Sequence, residues 1–88
     1  MTLEAPIELP IGASPDIKVV QGYPICFVRR KYGSKKKTTY TYPWIHWQGT
    51  WRPIKTDPHP SATFPAKTLD NLIIALIAHP GEYLYERS

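Results

Sequence analysis

Thr38-Thr39-Tyr40-Thr41-Tyr42-Pro43-Trp44-Ile45-His46-Trp47 is the stretch on which the fold turns. β-Branched and aromatic side chains dominate it, and these suit the half-buried surface of a pleated sheet. Alternate side chains of a strand point to opposite faces. Thr38, Tyr40, Tyr42, Trp44 and His46 therefore share one face, and Thr39, Thr41, Pro43, Ile45 and Trp47 share the other. Ile45 and Trp47 are the better core candidates, while Tyr40, Tyr42 and Trp44 are the better surface candidates. Pro43 has no backbone donor and predicts a bulge, which would exchange the two faces partway along.

On the C-terminal side, Gln48-Gly49 predicts a tight hairpin with Gly49 at positive φ. Thr50-Trp51-Arg52 then forms the next strand, which Pro53 ends. On the N-terminal side, Gly33-Ser34 flanked by Lys35, Lys36 and Lys37 marks another hairpin turn. Before it, Ile25-Cys26-Phe27-Val28 runs into Arg29-Arg30-Lys31-Tyr32, a strand that starts buried and leaves the core. Gly22 and Pro24 predict a bend between this run and Ile17-Lys18-Val19-Val20. Residues 1–16 read as an extended N-terminal arm, because Pro6, Pro10 and Pro15 leave no room for a helix. Ile7, Leu9 and Ile11 alternate and could lie along a sheet edge.

Beyond a turn-rich loop over residues 56–65, Leu69, Leu72, Ile73, Leu76 and Ile77 fall on one helical face. Thr68 is the predicted N-cap, Asp70 lies in the first turn, and His79-Pro80-Gly81 is the stop. Ile74, Ala75 and Ala78 make the opposite side apolar as well. Tyr83, Leu84 and Tyr85 predict a closing strand over residues 82–87. The fold class is α+β, a three- to four-stranded antiparallel sheet with one C-terminal α-helix packed on one face, and residues 17–88 form one domain. This element order resembles, in outline, the arm-binding domains of tyrosine recombinases. No residue motif accompanies the likeness, so it assigns no site residue.

Charge is sorted along the chain. Residues 1–17 hold Glu4, Glu8 and Asp16 and no base, whereas residues 18–55 hold Lys18, Arg29, Arg30, Lys31, Lys35, Lys36, Lys37, Arg52 and Lys55 and no acid. Ordinary surfaces intersperse both signs. A single lysine of this run reads most simply as a solvated residue that discourages edge pairing. Six cations within residues 29–37, next to a row of aromatics, point instead to phosphate contacts with base stacking.

Other chemistry finds little footing. His46, His59 and His79 lack metal-ligand spacing, and Cys26 has no second cysteine. No carboxylate pair, nucleophile elbow or glycine-rich phosphate loop occurs. An enzyme, a metal and a cofactor are therefore not expected. The lone cysteine suggests a reducing, cytoplasmic setting. The N-terminal residues lack the basic and apolar regions of a targeting segment, and the apolar run over residues 72–78 is far shorter than the ~20 residues that span a bilayer, so no membrane partner is expected.

The reading that follows is a small DNA- or RNA-binding module. Its site residues are Arg29, Arg30, Lys31, Lys35, Lys36, Lys37, Tyr40, Tyr42, Trp44, Arg52 and Lys55. The alternative is a protein-binding module, an inhibitor or assembly factor, that docks its basic face on an acidic partner. In that reading the second apolar side of the helix meets another chain, a homodimer included.

Overall fold

The chain reverses direction at two Gln-Gly pairs, and those reversals organise the sheet. The computed structural model describes residues 9–32, 38–61 and 63–85. Strands β1 (Lys18–Val20), β2 (Tyr23–Tyr32), β3 (Thr38–Trp47) and β4 (Thr50–Pro53) form one sheet in the order β1-β2-β3-β4. Every neighbouring pair is antiparallel. Helix α1 (Ala66–Ala78) and a single helical turn, α2 (Pro80–Tyr83), follow. This is the expected α+β arrangement.

Both residues of each turn have positive φ: 53° and 84° at Gln21 and Gly22, and 51° and 87° at Gln48 and Gly49. That geometry matches the right-handed twist of the flanking strands. The second turn is the predicted one. At the first, the predicted bend is a full hairpin, which turns Lys18–Val20 into an edge strand. A Cβ added at Gly22 or Gly49 meets no heavy atom within 4 Å, so only backbone strain opposes a side chain there. Gly22→Ala and Gly49→Ala are each expected to cost about 1–2 kcal/mol. Thermal unfolding should show drops of roughly 4–16 °C in separate variants; an unchanged midpoint would mean the turn is not held in this conformation.

The bulge predicted at Pro43 is absent. Register runs unbroken from Ile25↔Ile45 to Tyr32↔Thr38. The Pro43 carbonyl accepts from the Ile54 N–H at 3.1 Å, and the Phe27 carbonyl accepts from the Ser14 N–H at 2.8 Å. Phe27 and Pro43, though opposite each other, thus direct their backbone polar groups away from the β2–β3 ladder. The donor that proline lacks is not one the ladder uses.

Ile25 and Phe27 of β2 and Ile45 of β3 project from one face and meet Leu69, Ile73 and Leu76 of α1. Leu72 and Trp47 pack at the margin of this core, and Trp47 stacks on Tyr23 with centroids 5.1 Å apart. Past the end of β4 the chain returns to β3, where Thr41 and His59 exchange backbone hydrogen bonds of 2.9 and 3.1 Å. The buried Thr41 hydroxyl donates to the Ser61 carbonyl. Phe64 then stacks on Phe27 and closes this end of the core.

Helix α1 begins earlier than predicted. Pro65, not Thr68, is the N-cap; it makes no side-chain capping bond, and Asp70 lies beyond the first turn. Proline loses nothing at a helix start, where the first N–H groups have no intrahelical acceptor, and its carbonyl accepts from the Leu69 N–H at 2.9 Å. Asp70 instead accepts from the Gln21 side chain at 3.1 Å, tying the first turn to α1. Pro80 does stop α1, but it also opens α2. The closing strand predicted over residues 82–87 therefore shrinks to a bridge between Leu84 and Ile54; residues 86–88 lie outside the described residues.

Candidate functional site

Unbroken register keeps the face assignment of β3 intact to its end. On the face away from α1, Tyr40, Tyr42, Trp44 and His46 follow one another along β3. Across from them, β2 places Arg30 beside Tyr40, Val28 beside Tyr42 and Cys26 beside Trp44, and β4 places Trp51 beside His46. Arg30 is exposed, the aromatics are half-buried, and Cys26 and Val28 form a buried floor. Burial pushes the Cys26 thiol up to about 11, so it stays protonated at neutral pH and makes a poor nucleophile.

The predicted site residues do not all gather there. Arg29 and Lys31, across from Thr41 and Thr39, project to the α1 side of the sheet. Both are exposed, so the end of β2 carries positive charge on both faces. Lys35, Lys36 and Lys37, with the predicted Gly33-Ser34 turn, lie outside the described residues. Arg52 also belongs to the α1 side, across from Ile45, and its guanidinium donates to the Tyr85 carbonyl. Lys55 donates its backbone N–H to the Tyr83 carbonyl at 2.6 Å and holds its ammonium 5.7 Å from the Tyr85 ring centroid. Arg52 and Lys55 thus secure the C-terminal segment, Arg52 from the face opposite Trp44.

A bare sheet face opposite α1 is not what the chain builds. Ala13 bridges to Val28 at the edge of β2, and a turn closed by the Ala13 N–H to the Pro10 carbonyl, at 3.0 Å, reverses the chain. Leu9 and Pro10 thereby help to wall a cleft of about 310 Å³ with Trp44, His46, Gly49, Thr50 and Trp51. The His46 and Trp51 rings meet edge to face, centroids 5.1 Å apart. The indole Nε1–H of Trp51 is buried and has no hydrogen-bond partner among the described residues.

No family model, curated protein or solved structure matches the chain. The site is read from its own chemistry. Among the described residues no cluster of three or more His, Cys, Asp or Glu side chains could hold a metal ion. Among the same residues, no helix is long and apolar enough to cross a membrane.

Of the cleft residues only Trp44 belongs to the sequence-based site; His46, Gly49, Thr50, Trp51, Leu9 and Pro10 are missing from it. For His46 and Trp51 a signal was present. A two-residue turn at Gln48-Gly49 pairs Trp47 with Thr50 and hence His46 with Trp51. For Leu9 and Pro10 the signals were the alternation of Ile7, Leu9 and Ile11, which points to a sheet edge, and Gly12, whose φ of 86° permits the reversal that brings them to the cleft.

Proposed function

We propose that this protein is a non-enzymatic nucleic-acid-binding module that uses the face of the sheet opposite α1. The observation that carries this reading is the row Tyr40, Tyr42, Trp44 and His46, which leads along β3 from the cationic end of the β2–β3 hairpin. Arg29, Arg30 and Lys31, with Lys35, Lys36 and Lys37 that follow them in sequence, supply phosphate contacts. The aromatic rings supply stacking surfaces that tolerate any base.

Salt dependence tests the division of labour. Six phosphate contacts would make the logarithm of the association constant fall against the logarithm of salt concentration with a slope of about −4 to −5. Binding of single- and double-stranded DNA and RNA across a salt series measures it. Absence of binding to all four at about 50 mM salt would refute the reading. The alternative, a protein partner, has its own support in Ile74, 49% exposed on the outer side of α1, and in Ile77, which the helical spacing placed on the core face but which stands 39% exposed at its margin. A pull-down run beside the salt series would then identify what that side meets.

A further inference from the structure

We infer that the cleft formed by Trp44, His46 and Trp51 seats one unstacked base of a single-stranded nucleic acid whose backbone follows β3 toward the basic end of the hairpin. The inference rests on the nucleic-acid reading above and adds to it the form of the ligand and the residues that hold a base.

Spacing selects the single strand. Same-face residues of β3 recur every second position, so Tyr40, Tyr42 and Trp44 stand about 6.7 Å apart. Successive bases along one strand of a duplex are ~3.4 Å apart. Bases resting one per ring must therefore separate from each other, which an extended single strand permits. A duplex would have to unpair and unstack a base to fill the cleft, at a few kcal/mol.

The cleft walls select a base over a phosphate. Among the described residues that line it there is no lysine, arginine or carboxylate, and there are two indoles and an imidazole. Its volume of about 310 Å³ is at the small end of ligand sites, ~300–1,000 Å³, which suits one planar ring system. The two indole rings and the imidazole offer stacking surfaces that any base can use through its π-face, whereas a phosphate finds no cation among those residues.

Direction follows as well. The cationic end of the hairpin and the cleft lie at opposite ends of the aromatic row, so the cleft takes a base near one terminus of a short oligonucleotide. Single-stranded oligonucleotides of about five nucleotides, with one abasic position at either end, test this against wild type and Trp51→Phe. Loss of the base at the cleft end should weaken wild-type binding about tenfold or more, and loss at the other end should weaken it less. Trp51→Phe, which replaces the indole wall by a smaller ring, should weaken binding of the intact strand about 3- to 10-fold without changing the salt slope, because stacking releases few counterions. Combined with the cleft-end abasic strand, it should cause little further loss, because both changes remove the same contact.

Equal effects at the two ends, or additive effects of Trp51→Phe and the abasic site, would overturn the cleft assignment while nucleic-acid binding stands. Tighter binding of duplex than of single strand would overturn it too. Wild type that binds no nucleic acid removes the reading beneath it. A thermal melt accompanies the variant. If Trp51→Phe does not fold, the asymmetry between the two abasic strands on the wild-type protein decides alone.

Discussion

Ile45→Ala is expected to lower the thermal unfolding midpoint by roughly 8–40 °C. Ile45 is fully buried in the C-terminal half of β3, across from Ile25, and belongs to the cluster completed by Leu69, Ile73 and Leu76. Removing three carbons there loses their transfer from water and leaves a cavity that the sheet cannot collapse around, about 2–5 kcal/mol together. In a domain of this size each kcal/mol moves the midpoint by about 4–8 °C. Ile74→Ala is the matched control. That side chain lies on the same helix as the core residues but is half-exposed, so its loss should stay within about 0.5 kcal/mol. Circular dichroism melts of the two variants check the orientation of α1. Comparable drops would mean that the outer side of α1 is covered, which would favour the protein-partner reading.

The strand β3 was legible in the sequence because β-branched and aromatic residues fill it and Ile45 and Trp47 mark its inner face, and the unbroken register leaves that alternation intact. Pro43 misled only because a missing donor matters according to the side on which it falls. Here it points away from β2, toward the line where β4 has ended and Ile54 takes over as donor to the Pro43 carbonyl. The first hairpin was harder to see. A three-residue strand has little pattern of its own, and Pro24, its second neighbour across the turn, reads as a breaker. At α1, periodicity located the buried face, with Leu69, Ile73 and Leu76 inside. The cap was misplaced because threonine is the better side-chain acceptor, whereas the chain uses the carbonyl of Pro65. The closing strand failed for a related reason. Alternation over four residues is too short to outweigh Pro80, which fits the first position of a helical turn.

The candidate site divides the same way. Residues placed by alternation, Tyr40, Tyr42 and Trp44, do share a face with Arg30. Residues grouped by charge alone do not. Arg52 and Lys55 were joined to the basic run by the absence of acids between them, yet one donates to the Tyr85 carbonyl and the other sits over the Tyr85 ring. Charge in sequence reports on the field around a protein; register decides which side chains act together.

Replacing Lys35, Lys36 and Lys37 together by alanine is expected to flatten the salt dependence of nucleic-acid binding by about 2–3 in slope, since each lost phosphate contact removes about 0.7–0.9. Between about 50 and 200 mM salt, the fall in affinity should then shrink by roughly 20- to 40-fold relative to wild type. In sequence these lysines lie between Tyr32, the last residue of β2, and Thr38, the first of β3, close to Arg29, Arg30 and Lys31. Trp44→Ala and Tyr42→Ala should behave oppositely. Each should weaken single-strand binding by about 1–3 kcal/mol at every salt concentration and leave the slope unchanged, because stacking releases few counterions. The contrast separates two kinds of contact that a single affinity cannot. If the triple variant keeps both affinity and slope, the lysines are solvated residues of a turn, and the phosphate contacts must come from Arg29, Arg30 and Lys31 alone. If the aromatic variants alter the slope instead, the row along β3 orders the cations rather than the bases, and the sheet face is a scaffold for charge.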